Sequence, residues 1–183
     1  MTLRQKYSEY VLFGSACLWC ICNGISHVIV PLYAISLGFS VLEIGSIVAV
    51  PALATIFVRF VGGALSDRFG ERGVLQGCYS MMALAALMLT GAESYTTLMI
   101  VLIVANLSRS TFWISAQSMA SQLPGTNVGK NLGKLSAVNH FGGLIGQVLG
   151  GVMAAFLGYG ISFLILLGLA LSCILMSLAL TRS

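Results

Sequence analysis

Gly62-Gly63-Ala64-Leu65-Ser66-Asp67-Arg68-Phe69-Gly70-Glu71-Arg72-Gly73 is a short charged turn between two long apolar runs, and the rest of the chain is organised around the same alternation. Residues 41–66 before it and 74–92 after it are mostly apolar. Working outward in both directions, apolar stretches recur at 11–37, 41–66, 74–92, 96–118, 136–157 and 161–180. Each is near the ~20 residues that a helix rising ~1.5 Å per residue needs to cross a ~30 Å hydrocarbon layer. A span in lipid must satisfy its own backbone N–H and C=O groups, so stretches of this length are predicted to be α-helices. The breaks carry turn chemistry: Gly38-Phe39-Ser40, Asp67 to Gly73, Gly91-Ala92-Glu93-Ser94, Pro124-Gly125-Thr126-Asn127 and Gly158-Tyr159-Gly160. Pro31 and Pro51 fall inside the first two spans, where they predict kinks.

Composition supports lipid as the solvent. Apolar residues make up 58% of the 183 and charged residues 8%, against about a quarter charged in a soluble domain. The net charge of +4 is scattered singly between apolar runs rather than gathered in a patch, which argues against nucleic acid as a partner. The five cysteines, Cys17, Cys20, Cys22, Cys78 and Cys173, all lie in apolar stretches. Cys17-Leu18-Trp19-Cys20 has metal-site spacing but lacks a second ligand pair, so the cysteines read as small apolar fillers and no metal is expected. Arg4 and Lys6 before an apolar run resemble the start of a signal peptide. That run continues to about Leu37 without a small-residue cleavage pattern, so it reads as a first membrane helix.

Basic residues orient the spans. Arg4, Lys6, Arg68, Arg72, Lys130, Lys134 and Arg182 all fall on one side, while the opposite connections hold Glu43 and Glu93 and no Lys or Arg. Seven against none predicts both termini in the cytoplasm of a multi-pass protein of the cell membrane. Arg59 and Arg109 lie inside spans. Arg59 is close enough to a predicted end to snorkel. Arg109 is nearer the middle, where an unpaired arginine costs at least ~2.5–3.5 kcal/mol, so an internal functional placement is expected for it.

In the charged turn, small residues allow close helix approach, Asp67 can cap a helix N-terminus, and Gly70 permits a sharp reversal. The segment resembles the signature loop of the major facilitator superfamily, G-x-L-A-D-R-x-G-R-R: Gly63, Leu65, Asp67, Arg68, Gly70 and Arg72 match, and Glu71 stands where a basic residue is usual. The resemblance implies a gating loop for alternating access. It also implies an all-α fold, the N-terminal six-helix half of such a transporter, with two three-helix repeats in one transmembrane domain over 1–183. The family's fourth span often carries R-x-x-Q-G; Arg109 fits, with Phe112 and Trp113 in place of Gln and Gly. Its antiporter pattern G-x8-G-x3-G-P-x2-G-G is similar to Gly133, Gly142, Gly146, Gly150 and Gly151, with Gln147 in place of the proline. By itself, the Gly142, Gly146, Gly150, Gly151 stripe predicts close packing of two helix backbones.

A substrate site near the midplane calls for polar faces on single helices. Trp19, Asn23 and His27 follow one another at four-residue spacing on the first span, within ~80° of arc. Arg109, Trp113 and Gln117 do the same on the fourth. The resemblance places these two helices around a central cavity, so both stripes are expected to line it. Asn139, Gly143 and Gln147 form a third stripe, with His140 nearby. No carboxylate lies in mid-span, so only His27 and His140 could titrate there near neutral pH. A lone Arg109 favours an anionic or amphipathic solute.

The expected function is secondary active transport of a small-molecule substrate across the lipid bilayer. The sequence shows no nucleophile–base pair, metal cluster or phosphate-binding loop, so neither an enzyme nor a cofactor is expected. The resemblance covers only the first half of the family. That leaves three accounts: a truncated chain, a half-transporter that pairs as a homodimer, or a piece completed by a second half-chain. The rival expectation is a membrane-embedded structural or assembly subunit, or a non-transporting fragment.

Overall fold

Gly38 and Gly91 fall in turns, Gly70 interrupts a helix and Gly158 opens one, and the apolar runs between these points become helices. The structure, a computed structural model, describes residues 3–123 and 127–181, with side chains described for 9–53, 55, 56, 70–123 and 127–178. Its helices are α1 (Leu3–Ser36), α2 (Val41–Leu89), α3 (Tyr95–Ser121), α4 (Val128–Phe156) and α5 (Gly158–Thr181). Gly70 interrupts α2 at φ 71° and ψ 150°, outside helical space, so α2 is two helices joined end to end and the bundle has six. A Cβ is disfavoured at that positive φ, which is why the break falls on the glycine.

Side-chain caps set the helix starts. Ser40 and Glu43 close a reciprocal capping box on α2, with Ser40 N–H donating to Glu43 Oε2 at 2.8 Å and Glu43 N–H to Ser40 Oγ at 3.3 Å. Ser94 accepts from Thr97 N–H at 3.2 Å at the head of α3, and Asn127 from Gly129 N–H at 2.9 Å at the head of α4. The fifth apolar run was expected over 136–157, yet its helix begins at Val128. Lys130, Asn131 and Lys134 lower its apolar content without breaking the helix, so hydrophobicity alone places the start too late.

Four described stretches are long and apolar enough to cross a membrane: Glu9–Ser36, Gly70–Leu89, Tyr95–Ser121 and Gly158–Leu178. The first limb of α2 contributes a shorter apolar stretch, Val41–Leu53. α4 has 29 residues, ample length, but polar and glycine residues dilute its apolar content. The outer surface is hydrocarbon-like, with Leu53, Phe141, Leu144, Val148, Leu164 and Leu175 all exposed. In water such a belt would drive aggregation; in lipid it is the solvated face.

α1 packs on α4 and α5, and α2 on α3 and α5. The α1–α4 contact is made by glycine. A Cβ on Gly142 would lie 2.9 Å from Cys20 Cβ, and one on Gly146 2.9 Å from Gly24 Cα. A Cβ on Gly150 would lie 3.0 Å from the Ile25 carbonyl oxygen, whereas Gly151 faces open space. Two apolar clusters are stacked along the bundle. One, toward the Gly70 end, gathers Val11 to Cys20, Val74 to Tyr79 and Phe112 to Ala120; the other gathers Cys22 to Ala34, Met82 to Ala92 and Leu98 to Ala105. α1 changes cluster at residues 20–22 and α3 at 105–112, and this junction holds the polar groups described next.

Candidate functional site

Arg109 lies on α3 in the gap between the two apolar clusters, with its side chain exposed to a cavity of about 1100 Å³. The cavity is walled by three helices. α3 supplies Asn106, Arg109, Ser110, Trp113, Gln117 and Ser121, which recur every three or four residues and so share a face. α4 supplies Ser136 and Asn139, and the first limb of α2 supplies Ala52 and Thr55. The Asn139 amide oxygen also accepts from the Cys20 thiol at 3.5 Å, tying this wall to α1.

The α1 stripe does not act as a unit. Trp19 is 1% exposed and stacked on Phe112, with ring centroids 3.8 Å apart and planes 16° apart, so it belongs to the core beneath the cavity wall. Asn23 and His27 reach a smaller recess of about 30 Å³, shared with Ser26, Asn106 and Arg109. That is room for little more than one water. Asn23 Nδ2 donates to the Trp19 carbonyl at 3.1 Å and Asn106 Nδ2 to the Leu102 carbonyl at 2.9 Å, which orients both amides along their own helices.

Arg109 joins recess to cavity. Its Nη1 lies 2.5 Å from His27 Nε2. Guanidinium has no lone pair to offer, so Arg109 donates and His27 accepts. That bond requires a neutral imidazole whose Nε2 carries no proton. No carboxylate lines either space among the described residues. Arg109 is thus a cation in a polar wall with no acidic partner lining it among the described residues, an arrangement that can accept a negatively charged group.

Gly70 and the residues after it form the Gly70 end of the site. Glu71 accepts hydrogen bonds from Ser118 Oγ and from Gln122 Nε2, the latter at 2.7 Å. The carboxylate at the usually basic position thereby clasps the last turn of α3, beside the cavity-lining Ser118 and Ser121. Arg72 is exposed. The side chains of Gly63, Asp67, Arg68 and Arg59 lie outside the described residues. At the same end Lys134 pairs with Glu9 at 2.8 Å and joins the starts of α4 and α1.

Residues 11–183 match the family model described as Major Facilitator Superfamily. The chain belongs to the major facilitator superfamily. It is 23% identical over 146 residues to the quinolone resistance protein NorA of Staphylococcus aureus, covering 79% of this chain and 38% of NorA. It is 29% identical over 168 residues to probable anion transporter 3, chloroplastic, of Arabidopsis thaliana, covering 88% of this chain and 33% of that protein. The chain thus spans roughly a third of the length of these curated relatives. As a member of this family of membrane transporters, its cavity is a candidate solute-binding wall and Gly70 a candidate gating hinge. Sequence reading had not singled out Asn106, Ser110, Ser121 and Ser136, although their spacing relative to Arg109 and Asn139 was available as a signal. The partners of Glu71 had no signal at all, because they lie 47 and 51 residues away.

Proposed function

We propose that this chain supplies the solute-binding wall of a secondary active transporter for a small organic anion, working by alternating access in the cell membrane. The observation that carries this reading is Arg109, set with no carboxylate partner among the described residues in the polar wall of a cavity of about 1100 Å³. That volume lies near the upper end of small-molecule sites, roughly 300–1,000 Å³. The words "anion transporter" in the name of the Arabidopsis relative agree with the chemistry of the wall. Asn106, Gln117 and Asn139 would orient the polar part of the solute, and Trp113 would pack against its apolar part. A second six-helix half, from a longer chain, a partner chain or a second copy, would close the cavity, and the termini would lie in the cytoplasm.

The rival reading, an assembly subunit, relied on a glycine stripe available for pairing with another protein. Gly142, Gly146 and Gly150 are instead occupied by α1, which supports transport. The test is counterflow in proteoliposomes holding the native protein, with a panel of organic anions, cations and neutral solutes. Anion exchange that is lost in Arg109→Ala, with membrane insertion intact, is the expected result. Exchange confined to cations, or undiminished anion exchange in Arg109→Ala, would overturn the reading.

A further inference from the structure

The recess beside Arg109 holds one titratable group in contact with the cation. Arg109 Nη1 donates to His27 Nε2 at 2.5 Å, and both side chains are exposed. The arrangement requires a neutral imidazole, because an imidazolium has no lone pair to accept and would set cation against cation. Among the described residues, Arg109 is the one charged group whose field acts on His27. From the neighbouring elements, α4 presents Gly143, Gly146 and Gln147 to α1. Cys20 and Cys22 of α1, together with Cys173 of α5, contribute thiols, and no described side chain of α2 lines the recess. No acid lines the recess among the described residues.

We propose that His27 is the proton partner of anion binding. In the empty site neutral His27 holds Arg109; an anion arriving on Arg109 takes over its N–H donors, and a hydronium ion from the aqueous phase breaks one O–H bond to give its proton to Nε2 of His27, leaving water. The balance is simple: one anion and one proton enter, no covalent bond but N–H forms, and the net charge of the site is unchanged. The sign follows from Coulomb's law. Negative charge on Arg109 offsets the repulsion that the guanidinium would exert on a protonated imidazole, and the imidazolium becomes a second donor to the anion. By reciprocity, protonating His27 strengthens anion binding by the same factor. His27 would thus couple the solute to protons in a half that has no mid-span carboxylate.

This rests on the anion-site reading, and the test separates the two. Benzoate, with benzamide as its neutral counterpart and inorganic phosphate as a second anion, would be titrated into the native protein in lipid nanodiscs. Binding would be read by calorimetry from pH 6 to pH 8, and proton uptake by an indicator dye in weak buffer. The expected result is uptake approaching one proton per anion and a dissociation constant rising up to tenfold per pH unit above neutrality. His27→Gln, whose amide oxygen extends toward the position of Nε2 but cannot titrate, should lose that slope; His27→Asn provides a second variant should the first fold poorly. A wild-type affinity that does not change with pH, or the same slope in both His27 variants, overturns the coupling. Unaltered anion binding in Arg109→Ala, or binding of neither anion by the wild type, overturns the anion site and the coupling with it. Binding lost in Arg109→Ala but independent of pH in the wild type sinks the coupling alone.

Discussion

Trp19 lies nearly flat on Phe112, with centroids 3.8 Å apart, and so joins α1 to α3 one turn below Arg109. Phe112 is fully buried and also contacts Tyr79 and Trp113, at 6.1 and 5.8 Å between centroids. The stack supports the cavity wall rather than forming part of it. Trp19→Ala should cost about 3–5 kcal/mol, the usual range for deleting a buried aromatic. Trp19→Phe should cost much less, because it keeps a ring on Phe112. Thermal unfolding in detergent measures both, and equal losses would show that ring stacking is not what matters.

The glycine stripe gives a sharper contrast. A side chain at Gly146 would press on the Ile21 carbonyl and on Gly24 Cα, whereas Gly151 faces open space. Gly146→Leu should force α1 and α4 apart and abolish a monodisperse folded species in size-exclusion chromatography. Gly151→Ala should lie within about 0.5 kcal/mol of the parent. A well-folded Gly146→Leu protein would disprove the α1–α4 contact.

Glu71 fastens the segment after the Gly70 break to Ser118 and Gln122 at the end of α3. Hydrogen bonds to a charged group contribute about 1.5–3 kcal/mol each when shielded. Half-buried Glu71 should therefore protect the last turn of α3 against opening. In Glu71→Ala, amide exchange over residues 118–122 should speed up by about tenfold or more, with Glu71→Gln in between. Unchanged exchange would mean that the clasp carries no energy.

Arg109→Lys keeps the charge but loses the planar fork that can hold His27 and an anion together. Benzoate binding should weaken by about tenfold and still respond to salt, whereas Arg109→Ala should lose it. A lysine variant that binds as tightly as the parent would reduce the role of Arg109 to that of a point charge.

The orientation proposed from the basic residues can be read with a membrane-impermeant maleimide. A cysteine at Lys130 should react only from the cytoplasmic side and one at Glu93 only from outside, in a background lacking the native cysteines. The reverse pattern would invert the topology.

Much of the fold was legible because lipid leaves a chain few options. Long apolar runs must be helices there, and glycine with flanking charges must mark their ends. The start of α4 was less legible: Lys130 and Lys134 extend the helix beyond the apolar zone, and no hydrophobic count registers that. The site was legible one helix face at a time. Arg109, Trp113 and Gln117 line one cavity as their spacing allowed. Trp19, Asn23 and His27 have the same spacing but do not stay together, because Trp19 is packed on Phe112 while Asn23 and His27 reach the recess beside Arg109.

By itself the sequence determined that the solvent is lipid, that the chain is helical, that a turn residue stands at Gly70, and that Arg109 falls within an apolar span. These follow from composition, run length and local stereochemistry, which neighbouring residues decide among themselves. Only the tertiary structure decided that Gly146 rests on Gly24, that Glu71 reaches Ser118, and that Arg109 meets His27, 82 residues away. Those pairings depend on which helix faces cross, and in lipid that is settled by close packing and hydrogen bonding between surfaces far apart in the chain rather than by any local pattern.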